Sequence, residues 1–175
     1  FPEYDFVVVL SHFKGHAMGG FGGAIKNISI GIASSAGKAW IHSAGKTEDT
    51  EKLWSSLPAQ DDFLESMAAS AQAVADYFGD RILYINVMNK LSIDCDCDAH
   101  PHDPEMKDIG ILASLDPVAL DQACLDLVYA VKPSAGDNSK PLIERIESRH
   151  GRHTVDYAEQ IGLGTRKYEL KKLES

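Results

Sequence analysis

The sequence predicts an α/β domain: a layered, mostly parallel or mixed sheet flanked by helices. Two observations carry that prediction. Apolar runs (FVVVL at Phe6–Leu10, RILYINV at Arg81–Val87, IGILA at Ile109–Ala113) alternate with segments of helical period, a pattern that favours helices layered on a mostly parallel sheet. The first run also leads directly into SHFKGHAMGGFGGAIKN, Ser11–Asn27, with two His, two Lys and five Gly. Loops at the carboxyl ends of strands are where open α/β sheets bind ligands.

Phe6–Leu10 is continuous and β-branched, as expected of a strand covered on both faces. After the glycine-rich loop, Ala24–Ala33 carries Ile25, Ile28, Ile30 and Ile32 without one clean period and reads as a short helix or an irregular segment. Ser34–Lys38 (SSAGK) reads as a turn, with Trp40 and His42 returning toward the body of the domain, and Gly45–Gln60 as a surface loop. Asp62–Phe78 is the clearest helix. Asp62 and Glu65 form an acidic capping box, Phe63, Met67, Ala71, Val74 and Phe78 make one stripe, and Gly79 ends it. Arg81–Val87 and Ile109–Ala113 are the next strands. Asp116–Pro117 is an N-cap followed by a first-turn proline, opening a helix to about Val131 that buries Leu120, Cys124, Leu127, Val128 and Val131. Asp121 on that helix is expected to be exposed. Two shorter helices follow, near Pro141–His150 and His153–Ile161, and Tyr168–Leu173 alternates like an edge strand.

Bulk properties narrow the functional classes. The 175 residues fit a single domain, 1–175, and a start at Phe1 suggests a fragment lacking its N-terminal part. A net charge of −9 argues against a nucleic-acid partner, which needs a basic surface. No apolar run approaches the roughly 20 residues that span a bilayer, so no membrane partner is expected and the cytoplasm is the default location. Three cysteines do not make a disulfide framework.

Three places carry candidate chemistry. In the glycine-rich loop, Gly19, Gly20, Gly22 and Gly23 with Lys14, Lys26 and Asn27 suit a cradle for a small anionic ligand, with backbone amides facing inward and lysines neutralising charge. Neither nucleotide fingerprint, GxxxxGK with Ser or Thr, nor GxGxxG, is present, and a tight turn that needs glycines only for its shape is the competing reading. The second place is DCDCDAHPHD, Asp94–Asp103. In extended backbone, Cys95 and Cys97 would share one face while Asp94, Asp96 and Asp98 point away. Two thiolates with imidazoles nearby suit Zn or Fe; a solvated acidic loop is the alternative. The third is the set His12, His16 and His42, near strand ends and close to the loop. A metal held by His12, His16, His42, Cys95 and Cys97 would unite all three places.

HFKGHAMGGFGGAIKN, then Gly37-Lys38 with His42, then DIGILASLDPVALDQA (Asp108–Ala123) together resemble the bacterial and archaeal family called domain of unknown function 362. The likeness runs over nearly the whole chain, with the motifs in the same order. Its pattern includes a Lys-x-His (Lys14, His16), a Lys-Asn (Lys26, Asn27) and a Ser-x-Asp-Pro-x-Ala-x-Asp stretch (Ser114 to Asp121). The resemblance implies the fold, the site and an association with iron–sulphur proteins. This chain lacks a CxxCxxC run, so no iron–sulphur cluster is expected from it alone. Two functions remain open: a metal-dependent or redox-associated protein, or a non-catalytic domain that binds a small anion.

Overall fold

The computed structural model describes residues 3–96 and 98–173. Strand β1 (Val7–His12) leads through Phe13 into a small antiparallel hairpin, β2 (Lys14–His16) and β3 (Gly20–Gly22). The chain then makes a single helical turn, α1 (Ala24–Lys26), which widens into a π-helical turn over Asn27–Gly31. Helices α2 (Ser35–His42) and α3 (Gln60–Phe78) follow, then β4 (Ile82–Met88), β5 (Gly110–Ser114), α4 (Pro117–Ala130), α5 (Lys140–Ser148) and α6 (His153–Gln160). The main sheet has the order β1-β4-β5. The fold is α/β, and the sheet is mixed.

The mixture has a simple origin. Between β1 and β4 the chain makes a long helical crossover, and the two strands run parallel, Val7 beside Ile82 and His12 beside Val87. Between β4 and β5 the described residues form no helix. The segment carrying the acidic Cys cluster leaves and returns at the same end of the sheet, where Ile109 N donates to Met88 O at 2.8 Å and Lys90 N to Asp108 Oδ1 at 2.8 Å. A strand that returns from its own end pairs antiparallel, and Met88 stands beside Gly110.

One face of the sheet is the core. Val9, Ile82, Tyr84 and Met88 bury themselves with Phe13, Phe21, Ile25 and Ile28, and with Val118, Leu125 and Val128 of α4. The other face corrects the expectation for Phe6–Leu10: Val8 is 55% and Leu10 64% exposed, and Ile111 on β5 is 70% exposed. β1 therefore buries alternate side chains rather than both sets.

Three local expectations change. Ser34–Lys38 is not a free turn: Ser34 is the N-cap of α2, its Oγ accepting from Gly37 N at 3.1 Å. Helix α3 begins at Gln60, with Ala59 at its N-cap, so the Asp62–Glu65 capping box does not form. Glu65 instead pairs with His153 at 3.0 Å, and at the start of the helix Gln60 Nε2 donates to the Met18 and Arg149 carbonyls at 2.7 and 2.8 Å. Tyr168–Leu173 is not a strand; its start is pinned to α4 by Tyr168 Oη donating to Asp126 Oδ2 at 2.8 Å. The expected cap of α4 is present, Asp116 Oδ1 accepting from Val118 N and Ala119 N at 2.8 and 3.0 Å. Among the described residues no helix is long and apolar enough to cross a membrane.

Candidate functional site

Where β1 ends, the hairpin, α1 and the acidic loop enclose a cleft of about 220 Å³. Its walls contain His12, Lys14, Gly22 and Gly23 from the strand and hairpin, Lys26 and Asn27 from the helical turn, and Cys95 and Asp96 from the acidic loop. The sequence motifs that stand about seventy residues apart are thus brought to one place.

The lysines differ in their surroundings. Lys14 Nζ donates to Asp96 Oδ2, and its side chain is only 11% exposed. Lys26 is half-buried, and its ammonium forms no hydrogen bond or ion pair with any described residue. A lysine held partly out of water without an acid partner is expensive unless something else balances it. Its charge is felt nearby, where it helps to hold the imidazoles of His16 and His42 in the neutral form.

Asp96 is the counter-charge within the cleft. Besides Lys14, its carboxylate meets His12 Nδ1 at 3.0 Å, while His12 Nε2 lies 2.7 Å from the Asn89 carbonyl oxygen. Burial pushes the Asp96 carboxyl upward, but the hydrogen bonds from Lys14 and His12 outweigh it and hold the group below its ordinary value. The loop behind it is tied down by Asp94, which is buried and accepts from His102 Nδ1 at 2.6 Å and from Arg145 Nη1 at 3.3 Å. Extended alternation does not describe this loop: Asp98 N donates to Cys95 O at 2.9 Å, making a turn, and Cys95 and Asp96 both face the cleft.

Asn27 is a strut. Its Nδ2 donates to the Leu10 carbonyl and to Ser11 Oγ, both at 3.0 Å, binding the helical turn to the end of β1. Gly19 and Gly20 do not reach the cleft. Gly20 has φ +80°, which favours glycine, and a Cβ there would come within 2.9 Å of Gly151 Cα. Its role is to turn the hairpin and let it pack on the junction before α6.

The strongest feature of the site is one that sequence reasoning missed. Asp121 is completely buried. Its Oδ1 accepts from Ala24 N at 2.8 Å and from Asn86 Nδ2 at 2.7 Å, and its Oδ2 accepts from Ile25 N at 3.0 Å. Burial pushes this carboxyl up to about 6, with the three donors pulling it back. Gly23 is a glycine for the same reason: a Cβ would lie 2.3 Å from Asp121 Oδ1. The carboxylate thus clamps the backbone that follows the cleft wall. The signal was available in the helical period, because residue 121 shares one stripe with Val118, Leu125 and Val128. Cys124, one turn on, is core as expected; burial pushes its thiol up, assisted by Asp121.

Of the expected metal ligands, the described residues bring two to the cleft. His16 faces its own hairpin, its Nδ1 accepting from Gly19 N at 3.0 Å and Met18 N at 3.2 Å, and burial above all pushes its pKa down to about 3. His42 donates from Nδ1 to the Lys38 carbonyl at 2.7 Å and stacks on Phe63. Of the five residues, His12 and Cys95 line the cleft; His16 and His42 do not. Cys97 lies outside the described residues. Among the described residues no three His, Cys, Asp or Glu side chains are placed to hold a metal.

Neither a curated protein nor a solved structure matches the chain. A family model does, over residues 1–126, a span that runs from β1 into α4 and contains every wall of the cleft as well as Asp121. On that match the chain belongs to the family described as Domain of unknown function (DUF362).

Proposed function

We propose that the cleft binds a small anion, a phosphate- or carboxylate-bearing molecule, with Lys26 as its principal partner. The observation that carries this reading is the missing counter-ion: in a protein of net charge −9, Lys26 lines a concave site and meets no acid among the described residues. Gly22 and Gly23 add walls without side chains, which let a ligand approach the backbone closely. Asp121 and Asn27 hold those walls rigid, and rigid walls reduce the ordering cost of binding.

The test is titration of the protein with inorganic phosphate, followed by calorimetry or by amide shifts of Gly22 and Gly23. Lys26→Met is expected to weaken phosphate at least about tenfold, the scale of one charge-assisted hydrogen bond. Unchanged affinity in Lys26→Met would overturn the assignment. The same preparation reads out the metal-dependent or redox alternative, for which His12 and Cys95 are two donors in the cleft. Stoichiometric Zn or Fe in protein purified without oxygen, lost on Cys97→Ser, would replace the anion reading with that one.

A further inference from the structure

We propose that Asp96 is an internal ligand of this cleft: its carboxylate occupies the Lys14–His12 end, and an incoming anion must displace it to reach Lys14. The inference rests on the anion reading and deepens it.

The geometry is that of a bound carboxylate. Lys14 donates to Asp96 Oδ2, and His12 Nδ1 stands 3.0 Å from the same oxygen and 3.2 Å from Oδ1. The three groups are unequally buried: the side chains of Lys14 and His12 are 11% and 27% exposed, that of Asp96 is 61% exposed. Lys14 and His12 are therefore built into the wall, and the acid reaches them from the solvent side, as a ligand would. The acidic loop does not need this contact for its anchorage, because Asp94 ties it to Arg145 and His102.

The consequence is competition. An anion entering to meet Lys26 encounters Asp96 in the same cleft. An anion that reaches Lys14 must displace Asp96, and one that stays at Lys26 is repelled by it. Either cost disappears with the Asp96 charge, so its removal should tighten anion binding.

The experiment titrates inorganic phosphate, at a pH where it is the dianion, into the wild type, Asp96→Asn and Asp96→Ala. Both variants are expected to bind phosphate on the order of fivefold more tightly than wild type, the scale of an exposed ion pair. Unchanged or weaker phosphate binding in both variants, with phosphate still dependent on Lys26, would overturn the role of Asp96 and leave the anion cleft standing. Absence of phosphate binding to wild type and variants alike would remove both. A second readout needs no substitution: phosphate added to wild type should shift the ring signals of His12 as Asp96 leaves, and phosphate binding with static His12 signals would overturn the displacement.

Discussion

Replacing Asp121 by Ala is expected to lower the unfolding free energy by about 3 kcal/mol, the scale of breaking a buried charged hydrogen-bond network. The carboxylate is the acceptor for Ala24 N, Ile25 N and Asn86 Nδ2. Its removal leaves three donors in a site closed to solvent, and each orphaned donor costs about 1–3 kcal/mol, with partial relief as the site relaxes. Urea denaturation measures the loss. The same substitution should abolish phosphate binding under conditions where the variant is still folded, because the backbone after Gly23 loses its clamp. A loss below about 1 kcal/mol would mean that the network is not the support described here.

The pH dependence supplies an independent signature. Asp121 is raised to about 6 in the folded protein against an ordinary 3.8, so the folded state holds this proton more tightly than the unfolded chain. The stabilisation from that proton is complete below the unfolded value and is lost as pH rises through about 6. Wild type should therefore exceed Asp121→Ala by more at pH 4 than at pH 7, by up to about 3 kcal/mol. Asp94 and Asp96 are held below their ordinary value and work in the opposite sense. Both are present in the two proteins, so their contributions largely cancel in the difference. A difference that is flat between pH 4 and pH 7 would refute the raised value.

The second large effect is expected at Gly23. A methyl group there must enter space held by Asp121 Oδ1 at 2.3 Å and Cγ at 2.9 Å. Neither side can yield cheaply, since three hydrogen bonds fix the carboxylate and the glycine is itself buried. Gly23→Ala should cost about 2–3 kcal/mol, the range for overpacking a dense interior, and should weaken phosphate by distorting the cleft wall. Combining it with Asp121→Ala tests the cause. If the clash is with the carboxylate, the double variant loses less than the sum of the single losses, because residues in direct contact are not additive. Strict additivity would place the strain elsewhere.

Several parts of this architecture are legible without coordinates because they are local. The stripe from Phe63 to Phe78 identifies α3, the Asp116–Pro117 pair starts α4, and the β-branched runs place β1 and β4 within two residues. The polar set of the site was legible too: His12, Lys14, Gly22, Gly23, Lys26, Asn27 and Cys95 all reach one cleft. Spacing in sequence tells which groups stand together when a single loop carries them. It does not tell which ones are already occupied. His16 is consumed by its own hairpin and His42 by the helix beneath it.

What the sequence by itself determined is the α/β class, most of the helices, and the glycine-rich stretch that supplies most of the cleft wall, since period, capping and glycine density act over a few residues. Only the tertiary structure decided that β5 runs antiparallel, that one face of β1 stays exposed, and that Asp121 is the buried clamp. Each of these depends on what a distant segment places opposite the residue. A carboxylate on a helix is solvated or buried according to whether backbone donors arrive to meet it, and here they arrive from Ala24 and Ile25, nearly a hundred residues earlier in the chain.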